Sequence, residues 1–229
     1  MTQSREVKRI PTALEPLKPK LKELWETGSI DLEEFLSQRR IAIVGTRNLD
    51  QRQTAAATVL AEQLAESGWA IVSGLALGTD QAAHRGCLRV GRPTAAVIAS
   101  GFDRLAISAR PLAKQIQANG LLLSEAKPDQ RIERWRLVNR NRIIAGLSEA
   151  VIVFQSGCDG GTIYTVRDAW RLGRRVYSTS DSAAGRILLE EPARRLPELL
   201  KNFQLTIAER KLLGDRPLAQ PLKDLNWLL

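Results

Sequence analysis

Ile41-Ala42-Ile43-Val44-Gly45-Thr46-Arg47 is the stretch that decides the fold. Four apolar residues, Ile41, Ile43 and Val44 among them β-branched, run without interruption into a glycine. That is the composition of a strand buried on both faces and ending in a tight turn. Similar runs recur at Trp69–Ser73, Thr94–Ala99, Leu121–Ser124, Ala150–Phe154 and Arg175–Ser178. Between them lie segments with helical spacing, Gln51–Ser67, Thr79–Val90, Pro111–Asn119, Arg134–Leu147 and Thr162–Leu172. The first carries Ala55, Val59, Leu60 and Leu64 on one face and stops at Gly68; two others stop at Gly91 and Gly173. Glycine just past the last periodic residue is a helix C-terminal signal. Strands alternating with helices predict an α/β fold: a doubly wound, mostly parallel Rossmann-like sheet with helices on both faces.

The predicted core occupies residues 41–200. Residues 1–40 read as an N-terminal extension, with Pro11, Pro16 and Pro19 preceding an amphipathic patch at Leu21, Leu24 and Trp25 that leans on the core. Residues 201–229 form a tail ending in Leu225-Asn226-Trp227-Leu228-Leu229, a cluster expected to dock within the molecule. Thirty-four Lys and Arg against 25 Asp and Glu give a net charge of +9, which favours polyanionic partners through long-range attraction and counterion release. The two cysteines, Cys87 and Cys158, have neither metal-ligand nor disulfide spacing, so a reducing, cytoplasmic setting and no metal are expected. The N-terminus lacks the apolar core of a signal peptide, and no run of about 18 apolar residues occurs, so no membrane partner is expected.

In an open parallel sheet, ligands bind beyond the carboxyl ends of the strands, where the strand order reverses. Four segments there are informative. Gly45-Thr46-Arg47 lacks the Gly-x-Gly-x-x-Gly of dinucleotide sites, and the chain has no Gly-x-x-x-x-Gly-Lys-Ser/Thr loop, so neither those cofactors nor P-loop nucleotide hydrolysis is expected. What remains is a hydroxyl at Thr46 and a guanidinium fork at Arg47, both suited to phosphate. The second segment, Ser73 to Asp80, places Gly74, Leu75 and Gly78 where backbone amides can face an anion at a helix start. It also reads as a tight strand-to-helix turn capped by Thr79 or Asp80, with His84 one turn further on.

The third segment, Arg131 to Arg142, holds five arginines in twelve residues beside Trp135. A continuous helix would put Arg136, Asn139 and Arg140 on one face, anchored by Ile143, Ile144 and Leu147. Such a face could follow a phosphodiester backbone, or be merely solvated. The fourth segment, Gln155 to Thr162, is a glycine-rich turn in which Gly160, Gly161 and Thr162 could present amides to phosphate. No serine or cysteine nucleophile has a matching base, so no catalytic residue is expected.

Several blocks resemble the DNA-processing protein A (Smf) family in sequential order: Ile41 to Arg47, Val72 to Ala76, Gly78, Asp80, Ala82-Ala83-His84, Leu122 to Glu125 and Arg140 to Ser148. The resemblance covers roughly residues 41–180. It implies an extended Rossmann-like domain that forms a homodimer, cradles single-stranded DNA and helps load a RecA-type recombinase during DNA uptake, without cofactor or catalysis. Carried over, Thr46 and Arg47 contact phosphate, the Gly74 to Gly78 turn lines the pocket, and Arg140 with Arg142 holds the DNA backbone. Glu125 and Asp80 become structural partners of those arginines. Arg47→Ala and Arg140→Ala are each expected to weaken DNA binding while leaving unfolding nearly unchanged.

The sequence also departs from the family. Leu137-Val138 stand where an aromatic-proline pair is usual, Trp135 is a substitute for base stacking, and Leu77 replaces an arginine. The short tail is expected to hold no winged-helix module. Gly161-Thr162 also resembles part of the Gly-Gly-x-Gly-Thr-x-x-Glu motif of cytokinin-activating phosphoribohydrolases, but Thr165 stands where that motif has its glutamate. A nucleotide phosphoribohydrolase-like enzyme, or a sensor of a small nucleotide in the same pocket, is the alternative.

Overall fold

A computed structural model describes residues 3–158, 160–179, 182–190, 217 and 219–221. All six expected strands form, as β3 (Arg39–Gly45), β4 (Trp69–Ser73), β5 (Thr94–Ile98), β6 (Leu121–Ser124), β7 (Ala150–Phe154) and β8 (Arg175–Ser178). Each pairs in parallel with its neighbours in the order β6-β5-β4-β3-β7-β8. The chain thus winds outward from β3 through β6, then returns to lay β7 along the other side of β3. That reversal between β3 and β7 is the switch point at which an open α/β sheet binds ligands.

The sheet extends beyond the expected core. β1 (Arg5–Glu6) and β2 (Trp25–Gly28) add to it antiparallel, with β2 beside β6, and Gln220–Pro221 forms β9 beside β8. Among the described residues this makes nine strands. Trp25, expected in a patch leaning on the core, therefore begins a strand, and the sheet crosses the boundary drawn at residue 41. Gly28 permits the approach of β2 to β6, because a Cβ there would lie 2.1 Å from the Gly120 carbonyl oxygen. Glu26 pins the next turn, accepting the Leu32 amide at 2.8 Å ahead of α1 (Leu32–Leu36). The docking expected of the Leu225 to Leu229 cluster concerns residues outside those described.

Alternating residues of β3 supply two cores. Ala42 and Val44 face α6 (Asn141–Leu147), α7 (Thr162–Arg171) and α8 (Ala183–Glu190), together with Leu14, Leu17, Leu24 and Phe35 from the N-terminal segment. Ile41 and Ile43 face α2 (Gln51–Glu66) and α3 (Thr79–Arg89) through Ala57, Ala61, Leu64, Ala82 and Ala83. α4 (Arg110–Asn119) covers Ala96, Ile98 and Leu122 on that same side. Helix α2 starts at a capping box in which Asp50 accepts the Gln53 amide at 2.8 Å while the Gln53 side chain accepts the Asp50 amide at 3.0 Å. The glycines after three helices take the left-handed backbone expected of them, with φ of 92° at Gly68 and 67° at Gly91 and Gly173. Among the described residues no helix is long and apolar enough to cross a membrane.

The helix expected over Arg134–Leu147 is interrupted. Arg140 ends α5 (Arg134–Asn139) and precedes α6, and three consecutive side chains reach three different elements: Arg140 to β5, Asn141 to the loop before α7, and Arg142 to Glu125 after β6.

Because Leu24 is fully buried beside the strand that extends the sheet, Leu24→Ala should lower unfolding free energy by about 2–5 kcal/mol in a denaturant titration. A loss under about 1 kcal/mol would mean that the N-terminal segment merely rests on a core that is stable without it.

Candidate nucleic-acid interface

β3 and β7 run side by side in a register that opposes Gly45 to Phe154, and their chains separate just beyond. The loops above them are latched to one another. The Thr46 amide donates to the Gln155 carbonyl at 2.7 Å and the Thr79 amide to the Thr46 carbonyl at 3.1 Å, while the Thr162 hydroxyl donates to the Gly45 carbonyl at 3.0 Å. Asn141 Nδ2 donates to the Gly161 carbonyl at 3.0 Å, tying in the arginine-rich segment. Contacts this close need glycine. A Cβ on Gly45 would lie 1.9 Å from the Phe154 carbonyl oxygen, and one on Gly78 would lie 2.4 Å from that of Thr46. Gly78 also has a φ of 78°. Leu75 and Gln155, just after β4 and β7, adopt φ of 60° and 56°. A left-handed backbone costs a non-glycine residue roughly 1–2 kcal/mol, so the surrounding latches must hold these two residues in place.

The latched loops enclose a cleft of about 530 Å³. Thr46 and Arg47 border it on one side, Gly160, Gly161 and Thr162 on another, and Arg134, Leu137 and Val138 of α5 on a third. Among its described lining residues Asp80 is the one carboxylate, and Arg140 lies 3.7 Å from it. A neighbouring cleft of about 340 Å³ shares Arg47, Ala76, Leu137 and Arg140 with the first and is walled by Leu75, Leu77, Ile98 and Leu105. Leu77 is 57% exposed at its edge. Among the described residues no carboxylate lines this second cleft, whose remaining cation is Arg104.

Arg140 is the floor common to both clefts. Its guanidinium lies directly on Gly74, where a Cβ would sit 1.4 Å from Nη1, and it donates to the Val97 carbonyl at 2.7 Å. Burial pulls its pKa down and the Asp80 carboxylate pulls it back up, whereas Arg47 adds to the lowering. Asp80 is shifted upward by its own burial, opposed chiefly by Arg140. Losing one partner of such a buried pair strands the other, so the expectation that Arg140→Ala leaves stability unchanged is corrected. That change should destabilise the protein strongly.

The other expected site residues divide. Arg47, Gly74, Leu75, Arg140, Thr46, Gly160, Gly161 and Thr162 converge on the two clefts. Gly78 supports them from behind by packing on Thr46 and Arg47. Arg142 does not join them. Its side chain is buried, four of its N–H groups are taken by Pro19, Asn139 and both oxygens of Glu125, and the Glu125 contacts are 2.6 Å each. It is a tie between the N-terminal segment, α6 and β6, as expected of Glu125 but not of a DNA contact. Arg136 and Asn139 also lie outside the clefts, the first of which α5 and α6 border through Arg134, Leu137, Val138 and Asn141 instead. Arg136 is engaged by Glu133 at 3.1 Å and by the Trp135 ring at 4.5 Å. Trp135, at 51% exposure, lines neither cleft, and its Nε1 donates to Glu133. In the Gly74 to Gly78 turn the Ala76 amide is taken by Asp80 at 3.3 Å, and the Thr79 amide just beyond it is taken by the Thr46 carbonyl. Arg134, Asn141 and Tyr164 also line the first cleft, and residue spacing does not single them out, because the break at Arg140 and the direction of α7 are tertiary features.

His84 is likewise structural. Thr94 Oγ1 gives its proton to the Ile71 carbonyl and accepts from His84 Nδ1 at 2.8 Å, while Nε2 is buried without a partner. Burial, then Arg140 and Arg85, push the His84 pKa down to about 3. An unfolded chain takes up this proton near pH 6.5 and the folded one does not, so the residue's contribution to stability falls as pH drops from about 6.5 toward 3.

A Rossmann-like sheet with glycine turns and arginines meeting at its switch point, and without a dinucleotide fingerprint, defines an open α/β protein with a cationic cleft where such sheets bind ligands. The chain belongs to the DNA recombination-mediator protein A family, whose profile matches residues 3–195. It is 39% identical over 161 residues to protein Smf of Synechocystis, covering 69% of this chain and 40% of the relative. It is 36% identical over 153 residues to the DNA processing protein DprA of Bacillus subtilis, covering 66% and 52%. The chain thus spans about half the length of the curated relatives it matches. Among solved structures, that of DNA processing protein A from Streptococcus pneumoniae aligns with a TM-score of 0.71 and 30% identity, over 80% of this chain and 64% of that one. That of DNA processing protein A from Helicobacter pylori, a protein described for its single-stranded DNA binding mode, aligns at 0.75 and 24%, over 99% and 94%.

As the chain's single histidine, His84 can be followed without ambiguity by NMR. Its imidazole resonances should stay at neutral-ring positions from pH 8 to pH 5, whereas a titration midpoint near 6.5 would contradict the buried, neutral assignment.

Proposed function

We propose that this protein binds single-stranded DNA without cleaving or modifying it, acting in DNA processing and recombination during DNA uptake. The observation that carries the reading is the convergence of Arg47 and Arg134 with the Gly160-Gly161 turn at the start of α7, in a cleft whose described carboxylate is already countered by Arg140. Exposed guanidinium groups and a helix N-terminus both favour phosphate oxygens. The net charge of +9 adds a sequence-independent attraction to any polyanion. The adjoining acid-free apolar cleft suits unstacked bases better than a charged metabolite. Family membership, and the DNA binding named for the Helicobacter pylori relative, point the same way.

By that resemblance the chain works in the cytoplasm as a homodimer and hands its strand to a RecA-type recombinase. The enzymatic alternative is disfavoured because Thr165, which lines the first cleft, stands where a phosphoribohydrolase needs its glutamate. A hydroxyl cannot assist glycosidic cleavage as that carboxyl does.

Fluorescence anisotropy with a labelled oligothymidylate should show binding that weakens with salt, with a log–log slope near −0.7 for each phosphate contacted. Arg47→Ala should lower affinity about tenfold or more, as expected for a lost charge-assisted hydrogen bond, while unfolding stays within about 0.5 kcal/mol of wild type. Salt-independent binding, an unaffected Arg47→Ala variant, or release of free base from nucleoside monophosphates would each overturn the reading.

A further inference from the structure

The cleft contains one aromatic side chain among its described lining residues, and it is not the tryptophan that the sequence brings forward. Tyr164 stands in the first turn of α7, three residues beyond Gly161, and is half-buried at the cleft wall. Its position is set by the backbone, since its amide donates to the Gly161 carbonyl at 3.1 Å. One side of the ring is occupied. The Arg167 guanidinium lies 5.2 Å from its centroid, and Arg167 is itself held by Asp168 Oδ1 at 3.1 Å from Nε and 3.0 Å from Nη2. Leu137 and Val138 border the same cleft from α5, which gives it an apolar wall as well as an aromatic one.

We propose that Tyr164 is the stacking platform on which a base of the bound strand rests while its phosphate is held by Arg47 and the Gly160-Gly161 turn. This rests on the reading that the cleft holds single-stranded DNA. Stacking on an aromatic face is tolerant of sequence because every base presents a π surface, and it is available to a base only when its strand is unpaired. Arg167, a cation that does not itself line the cleft, holds one face of the ring and keeps the platform oriented before the strand arrives. Trp135 cannot serve in its place. It is 51% exposed and lines neither cleft, so a base resting on it would lie away from the bound phosphate.

Two strands of equal length separate base contacts from backbone contacts: oligothymidylate, and a strand of abasic deoxyribose phosphates. On oligothymidylate, Tyr164→Leu, which keeps apolar bulk but loses the aromatic face, should bind about tenfold more weakly, and Tyr164→Phe should stay within about twofold of wild type. On the abasic strand both variants should match wild type, and Trp135→Ala should match it on both strands. A Tyr164→Leu variant that binds oligothymidylate like wild type overturns the assignment, as does one that loses equally on both strands. A Tyr164→Phe variant that loses as much as Tyr164→Leu does so too, by assigning the role to the hydroxyl. Those results leave the phosphate-binding reading standing, whereas wild-type protein that binds neither strand overturns both.

Discussion

The guanidinium of Arg140 is the interaction on which the rest of the site depends. It reaches from the break between α5 and α6 across the floor of both clefts to a β5 carbonyl, lying in the space that Gly74 leaves by having no side chain. A buried charge in that position must be countered, and Asp80 counters it. Asp80 in turn holds the Ala76 amide and so fixes the turn after β4. One ion pair therefore fixes the relative position of α3, β5 and the arginine-rich segment, and it leaves the exposed cation work to Arg47 and Arg134. The acidic partner makes the floor close to neutral. The attraction for a polyanion then resides at the rim, where charges are exposed and screened by salt.

Much of this was legible in the chain. Strands buried on both faces announce themselves as unbroken apolar runs, and all six between Arg39 and Ser178 lie where those runs are. Gly45 at the end of β3 and Gly78 ahead of α3 mark where backbones approach, and the switch point gathers them into one place. What could not be read was partnership. Arg136, Asn139, Arg140 and Arg142 look equivalent along a helix, but a buried guanidinium differs from an exposed one only through carboxylates and carbonyls distant in sequence, such as Glu125 and Val97. Trp135 is large and adjacent to arginines in sequence, yet its contacts with Glu133 and Arg136 are local. Tyr164 has no signal in the sequence, because only the direction of α7 brings it to the cleft.

The first strands illustrate a second limit. Residues 5–6 and 25–28 have neither the length nor the alternation that marks a strand, and they become strands because β6 leaves an edge open for pairing. Tertiary context supplies what local composition withholds. The consequence is physical continuity between the N-terminal segment and the site. The Pro19 carbonyl accepts from Arg142, which holds the end of α5 through the Asn139 carbonyl.

The central claim is that a sugar-phosphate chain lies across the switch point between β3 and β7. A crystal structure with a short oligothymidylate tests it directly. The account predicts a phosphate between Arg47 and the Gly160 to Thr162 turn, with Arg140 still bonded to Val97 beneath it. A strand found on another face, with that cleft free of nucleotide, would contradict it.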